Sequence, residues 1–210
     1  MTAHDGPLLR GGRNAGEWDE RYAAAEFAYG TEPNAFLASV AERIPAGPAL
    51  CLAEGQGRNA VFLAKRGHAV TALDQSAVGL ARATELAARE GVAITTVVAD
   101  LADYEIARGA WSAIISVWAH VPRALRARVH AQVVAGLAPG GAFILEAYTP
   151  AQIGRGTGGP SSPDVLPTLA ELRTELAGLA FEIGREIERD VREGRYHQGM
   201  SSVVQVLARR

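Results

Sequence analysis

Pro48-Ala49-Leu50-Cys51-Leu52-Ala53-Glu54-Gly55-Gln56-Gly57-Arg58-Asn59 is a short apolar run that stops at an acid and two glycines. A continuous apolar run of this length reads as a strand buried on both faces. Glycines tolerate a positive φ and let backbone approach a ligand closely. Ala60, Leu63 and Ala64 follow at helical spacing up to Gly67, so the acid and glycines occupy a strand-to-helix turn. A dinucleotide fingerprint has its third glycine where this chain has Ala60, an allowed substitute. Glu54 suits a pyrophosphate poorly, because like charges repel, and suits a ligand with a cationic amino group. A tight turn without a ligand is the plain alternative.

The pattern repeats outward. Ala69 to Leu73 reads as a second strand closed by Asp74, and an alanine-rich helix then runs to about Glu90, ended by Gly91. Ile94 to Ala99 is a third strand, closed by Asp100, and Trp111 to Val117 a fourth. Leu125, Val129, Val133 and Leu137 are spaced by four and form one helical stripe. Pro139-Gly140-Gly141 turns the chain into a fifth strand, Ala142 to Ala147. Five β-α units, with each strand followed by an amphipathic helix, imply a doubly wound parallel sheet covered on both faces. Before them, Glu17 to Val40 reads as two short helices broken at Gly30 to Pro33. After them, Thr168 with Glu171 is a capping-box signature, and Leu169, Leu172 and Leu176 share one face. Phe181 to Glu188 and Ser202 to Leu207 then read as strands with Gly194 between, which a short connection makes antiparallel. No repeat or linker divides the chain. It reads as one α/β domain over 1–210, with a helical lid over 1–46 and a Rossmann-like core over 47–210.

Composition sets bounds on function. The 210 residues are 48% hydrophobic and 21% charged, an ordinary globular balance. A net charge of −2 weighs against a dedicated nucleic-acid binder. Cys51 is the one cysteine, which excludes an internal disulfide, suits a reducing cytoplasm, and reads as a small buried filler. The first residues do not read as a signal peptide, and apolar runs of about ten residues are too short to span a bilayer. His4, His68 and His130 have no metal-ligand spacing, so no metal is expected.

Glu54, Asp74 and Asp100 end three consecutive strands. In an open α/β sheet, ligands bind beyond the carboxyl ends of the strands. Three carboxylates there suit an amine, a diol and a second amine, the groups that S-adenosylmethionine offers. Read singly, Asp74 or Ser76 is also a helix cap, and Asp100 a solvated strand end.

The chain resembles class I S-adenosylmethionine-dependent methyltransferases, and within them the tellurite-resistance and thiopurine S-methyltransferase-like enzymes. The resemblance rests on Trp18-Asp19-Glu20-Arg21-Tyr22, Tyr29-Gly30 with Pro33-Asn34, Glu54 to Asn59, Leu73-Asp74, Ala99-Asp100, Leu137 to Gly141 and the closing hairpin. It implies a seven-stranded, mostly parallel sheet with a C-terminal antiparallel hairpin. It also implies that Glu54, Gly55, Gln56 and Gly57 line the methionine portion of the cofactor, Asp74 the ribose, and Asp100-Leu101 the adenine. Arg21, Tyr22, Tyr29 and Asn34 would close the site, with Asn59, Gln75, Ser76 and Val117 completing the cofactor set.

For the acceptor, Ser116-Val117-Trp118-Ala119-His120 lacks the Asn/Asp-Pro-Pro-aromatic motif of amino-directed nucleic-acid methyltransferases and resembles the small-molecule branch. His120 is a candidate base or substrate ligand, or a loop histidine. Trp118 and Tyr148 are candidate pocket walls, and Arg155, in the Gly/Pro/Ser-rich loop 149–167, a candidate anion grip. Arg189 and His197 are candidates for an anion-accepting wall; an exposed charged hairpin is the alternative. The expected reaction is methyl transfer to a small soft nucleophile such as a thiol, selenium or tellurium species, in a cytoplasmic monomer or homodimer. Its rivals are an O- or N-methyltransferase, a non-catalytic S-adenosylmethionine-binding module and an NAD-dependent oxidoreductase.

Overall fold

A computed structural model describes residues 14–24 and 26–210, so the readings placed on the first thirteen residues, His4 among them, lie outside the described residues. Among the described residues seven strands form one sheet: β1 (Pro48–Leu52), β2 (Ala69–Asp74), β3 (Thr95–Val98), β4 (Trp111–Val117), β5 (Leu137–Tyr148), β6 (Ala180–Glu193) and β7 (His197–Arg209). Their order is β3-β2-β1-β4-β5-β7-β6. The first five strands pair in parallel, while β7 runs antiparallel to both β5 and β6. The expected doubly wound sheet with its closing hairpin is therefore the fold.

The helices are α1 (Ala15–Tyr22), α2 (Ala35–Val40), α3 (Arg58–Lys65), α4 (Ala77–Arg89), α5 (Arg123–Gly136) and α6 (Leu169–Glu175). Both α1 and α6 begin with a full capping box, Asn14 with Glu17 and Thr168 with Glu171. Such a cap contributes about 1 kcal/mol. The period-two alternation of each strand divides its side chains between two cores. Leu50, Leu52, Phe143 and Leu145 face α5 and α6, packed with Leu125, Val129, Val133, Leu172 and Leu176. Ala49, Cys51, Ala113, Ile115 and Ile144 face α2, α3 and α4, packed with Leu37, Leu63 and Leu80.

Three features depart from the sequence reading. The crossover from β3 to β4 carries no helix. Asp100 instead closes a turn by accepting the Ala102 N–H at 2.8 Å, and Ile106 enters the core against Gly136. Next, β5 begins at Leu137 and runs through Pro139-Gly140-Gly141, with an irregular register between Trp111 and Ala113. Last, the hairpin strands are 14 and 13 residues long, well beyond the apolar segments that announce them. The loop after β5 is laid along β7: the Gln152 amide accepts the Ser202 N–H and donates to Thr157 and Gly158. Gly158 and Gly159 sit so close to Tyr148 that a Cβ at Gly159 would stand 2.7 Å from its ring.

Candidate functional site

The chain leaves β1 and β4 toward opposite faces of the sheet, which makes their junction the topological switch point where a crevice opens. Among the described residues, the two non-glycine positions with positive φ are Ala53 (49°) and Trp118 (58°). They stand just beyond β1 and β4. A left-handed backbone costs an ordinary residue about 1–2 kcal/mol, and such strain clusters at functional sites.

On the β1–β2 side the glycine turn is built around two carboxylates. Glu54 Oε1 accepts the N–H of Asn59 at 2.9 Å and of Ala60 at 2.8 Å, anchoring the start of α3. Asp74 accepts the Gly55 N–H on one oxygen and the Ser76 N–H on the other, both at 2.8 Å. Burial pushes the Glu54 carboxyl up to about 7 and raises that of Asp74, overriding the amide bonds that favour ionisation. A carboxylate oxygen holds a further lone pair after accepting one bond. Two buried acids, beside a turn whose glycines pack closely against Tyr22 and Ala83, fit a ligand with an amino group and a diol. By this test the residues present fit S-adenosylmethionine.

The amino-terminal segment lies across this turn. A Cβ on Gly55 would stand 2.6 Å from the Tyr22 hydroxyl, and one on Gly79 would stand 2.8 Å from its ring. Asp19 accepts from the Ser76 hydroxyl and the Val78 N–H, docking α1 on the start of α4. Gln56 accepts the Ala28 N–H at 2.7 Å. Arg21 donates to the Tyr29 hydroxyl and lies over the Tyr196 ring, 4.2 Å from its centre. Leu101 and Val117 serve the two cores.

On the β4–β5 side, rings gather around Trp118. Tyr148 stacks on it at 4.4 Å, His197 meets it edge-on at 5.0 Å, and Tyr29 lies 4.7 Å from His197. The structure corrects several roles assigned from sequence. His120 is no free base: its Nε2 accepts the Tyr148 N–H at 3.1 Å, its ring stacks on Tyr148, and burial lowers its pKa to about 4. Arg189 offers no open anion site, because it is paired with Glu146 and Glu193. His197 is neutral, pushed down to about 3 by burial, and its buried Nδ1 has no hydrogen-bond partner among the described residues. The expected anion-accepting wall is therefore a neutral one. Arg155 pairs with Glu188 on the hairpin surface. Asn34 points away from the glycine turn: its Oδ1 caps α2 at Leu37, and its Nδ2 donates to Glu146 and Glu193.

Glu146 and Gln205 were not singled out from sequence, while Arg58 was read only as part of the glycine turn and Glu193 only as part of the charged hairpin. Glu146 is fully buried and takes Arg189, Asn34 and Gln205; Glu193 takes Arg58, Arg189, Asn34 and the Trp118 indole. The one usable signal was an acid inside the apolar Phe143-Ile144-Leu145-Glu146-Ala147-Tyr148 run.

Residues 49–141 match the family model described as a methyltransferase domain. No curated protein matches the chain by sequence. Among solved structures, one described by the conversion of a disulfide bond into a thioacetal group during echinomycin biosynthesis superimposes with a TM-score of 0.73 at 20% identity, covering 93% of this chain and 92% of that one. TehB from Haemophilus influenzae gives 0.71 at 18% identity, over 93% of this chain and 66% of its own. An S-adenosylmethionine-dependent methyltransferase from Mesorhizobium loti gives 0.63 at 21% identity, over 84% and 99%. At these identities the structural likeness shows the fold, and the family match covers the segment from β1 into β5, less than half of the chain.

Proposed function

We propose that this chain, an S-adenosylmethionine-dependent methyltransferase by domain and fold, delivers the methyl group to a small, soft, uncharged or self-ionising nucleophile of the thiol kind. The observation that carries the acceptor class is the neutrality of the β4–β5 wall. Its arginines are cancelled by Glu146 and Glu193, and both of its histidines stay unprotonated near neutral pH. An oxyanion gains nothing from such a wall. A hard hydroxyl or ammonium acceptor needs a base near neutrality, and a group with a pKa of about 3 or 4 is a weak one. A thiol or selenol supplies its own anion, so positioning suffices.

When bound, the cofactor supplies an activated methyl group on a sulfonium, which the acceptor displaces in line. In this reading Glu54 and Asp74 hold its amino and ribose groups. Gly55 and Gly57 let the turn pack closely against Tyr22 and α4, and Tyr22 and Gln56 seal it from the α1 side. Trp118, backed by the buried Tyr148 and His197, forms the uncharged wall that excludes water and orients the acceptor. A hydroxyl or amine acceptor remains the second reading, favoured by the buried His197 Nδ1, which lacks a hydrogen-bond partner among the described residues.

Calorimetric titration with S-adenosylhomocysteine, with NAD as control, tests the cofactor: micromolar binding of the first and none of the second is expected. A nucleophile panel with S-adenosylmethionine then tests the acceptor. Turnover of thiols or selenols above alcohols and amines is expected, and turnover of alcohols or amines alone overturns the acceptor class.

A further inference from the structure

Glu193, near the end of β6, is 6% exposed and takes donors from four parts of the chain. These are Arg58 of α3, Arg189 of β6, Asn34 at the start of α2, and the Trp118 indole N–H at 2.6 Å. A buried carboxylate survives only when paired and hydrogen-bonded. Burial works against its ionisation, yet Arg58, the Trp118 N–H and Arg189 hold the carboxyl down at about 2. It therefore stays charged throughout the working range of an enzyme.

The bond to Trp118 is not needed for that charge balance, which Arg58 and Arg189 already provide. It does something for Trp118 instead. That residue sits at φ 58°, held there by its own N–H to the Glu146 carbonyl at 2.9 Å. Stacking on Tyr148 fixes the plane of the indole but tolerates rotation within it. The charge-assisted N–H···O bond fixes that rotation. Asn34 carries the link onward: its backbone N–H donates to the Asn59 side chain at 2.9 Å, and the Asn59 N–H donates to Glu54. One buried chain of hydrogen bonds thus runs from the cofactor-side turn to the acceptor wall.

We propose that Glu193 is a positioning residue for methyl transfer, which locks the Trp118 indole at the acceptor wall and ties that wall to the glycine turn through Asn34. The inference rests on the methyltransferase reading above.

The test uses the full chain, S-adenosylmethionine and the thiol that wild type turns over fastest. Glu193→Gln is expected to lower kcat at least tenfold, while the S-adenosylhomocysteine affinity and the KM for S-adenosylmethionine stay within threefold. Trp118 emission, isolated by subtracting the spectrum of Trp118→Phe, is expected to shift. Because Glu193→Gln leaves Arg58 without its partner, the Arg58→Met/Glu193→Met pair serves as a second variant. It removes both charges with little change of volume, a replacement that buried ion pairs often tolerate, and the same kcat loss is expected. In a Trp118→Phe background, either change should cost less than a further threefold, because the tethered donor is already gone. A kcat within threefold of wild type in the folded variants, or losses that multiply in the Trp118→Phe background, overturns the proposal. A wild type that binds no S-adenosylhomocysteine, or methylates no thiol, instead removes the reading on which it rests.

Discussion

On the proposed reading, Glu54 couples proton binding to cofactor binding. Its carboxyl is lifted from 4.5 to about 7, chiefly by burial, so at pH 6 it is mostly protonated. A ligand ammonium beside it favours the ionised form. If that contact restores the carboxyl to its ordinary value, binding selects the deprotonated chain. The apparent affinity for S-adenosylhomocysteine then falls about thirtyfold between pH 8 and pH 5.5, and binding at pH 6 releases about 0.9 of a proton. Calorimetry in two buffers of different ionisation enthalpy reads the proton count directly, and the same titrations give the pH dependence. Glu54→Gln should bind more weakly at pH 8, with the pH dependence and the proton release both gone. An affinity that is flat from pH 5.5 to 8 in wild type, with no proton released, refutes the reasoning and removes Glu54 from the amino-group site.

Two further outcomes concern stability. His120 and His197 are lowered to about 4 and about 3, so the unfolded chain takes up protons below pH 6.5 that the native chain refuses. Each ring therefore lowers stability by up to about 1.4 kcal/mol per pH unit as pH falls from 6.5, and Glu54, protonated in the native chain below 7, offsets one of them down to 4.5. Guanidinium midpoints at pH 7 and pH 5 should show a net loss in acid that His197→Gln reduces; a gain in stability on acidification contradicts it. Gly57→Ala places a Cβ 2.5 Å from the Ala83 Cβ at φ 89° and should cost about 2–5 kcal/mol, read as a lowered midpoint; an unchanged midpoint shows that the turn is not held against α4.

The parallel core was legible because its signals are local. Each strand from β1 to β4 is a short apolar run whose end is marked by an acid or a turn, and the structure places them within a residue or two of those marks. The third crossover misled because a β-α rhythm suggests a helix where Asp100 and its neighbours close a turn. The hairpin was seen but drawn too short. Its outer halves alternate exposed with more buried residues, most of them charged, as in Glu188 to Glu193, and that pattern acquires meaning only against the loop and the amino-terminal segment. Pairing, not composition, decides such an edge.

The two sides of the crevice differ in the same way. Glu54, the glycines and Asp74 fall within 21 residues, and a β-α-β unit brings their carboxylates to one place without help from distant chain. The acceptor wall draws on Tyr29, Trp118, Tyr148, Glu193 and His197, whose meeting depends on β7 lying between β5 and β6. Residue type alone misjudged its electrostatics: an arginine and a histidine beside a crevice suggest an anion site. The charge of Arg189 is cancelled by two acids from β5 and β6, and His197 is stripped of its proton by burial among rings. A side chain's charge in a crevice belongs to its neighbours as much as to itself. A methyl donor that arrives carrying its own positive sulfonium is best served by a wall that adds none. The buried pairing of Glu146 and Glu193 with Arg58 and Arg189 builds such a wall, and the proposed acceptor class rests on those pairings and not on the residues that make them.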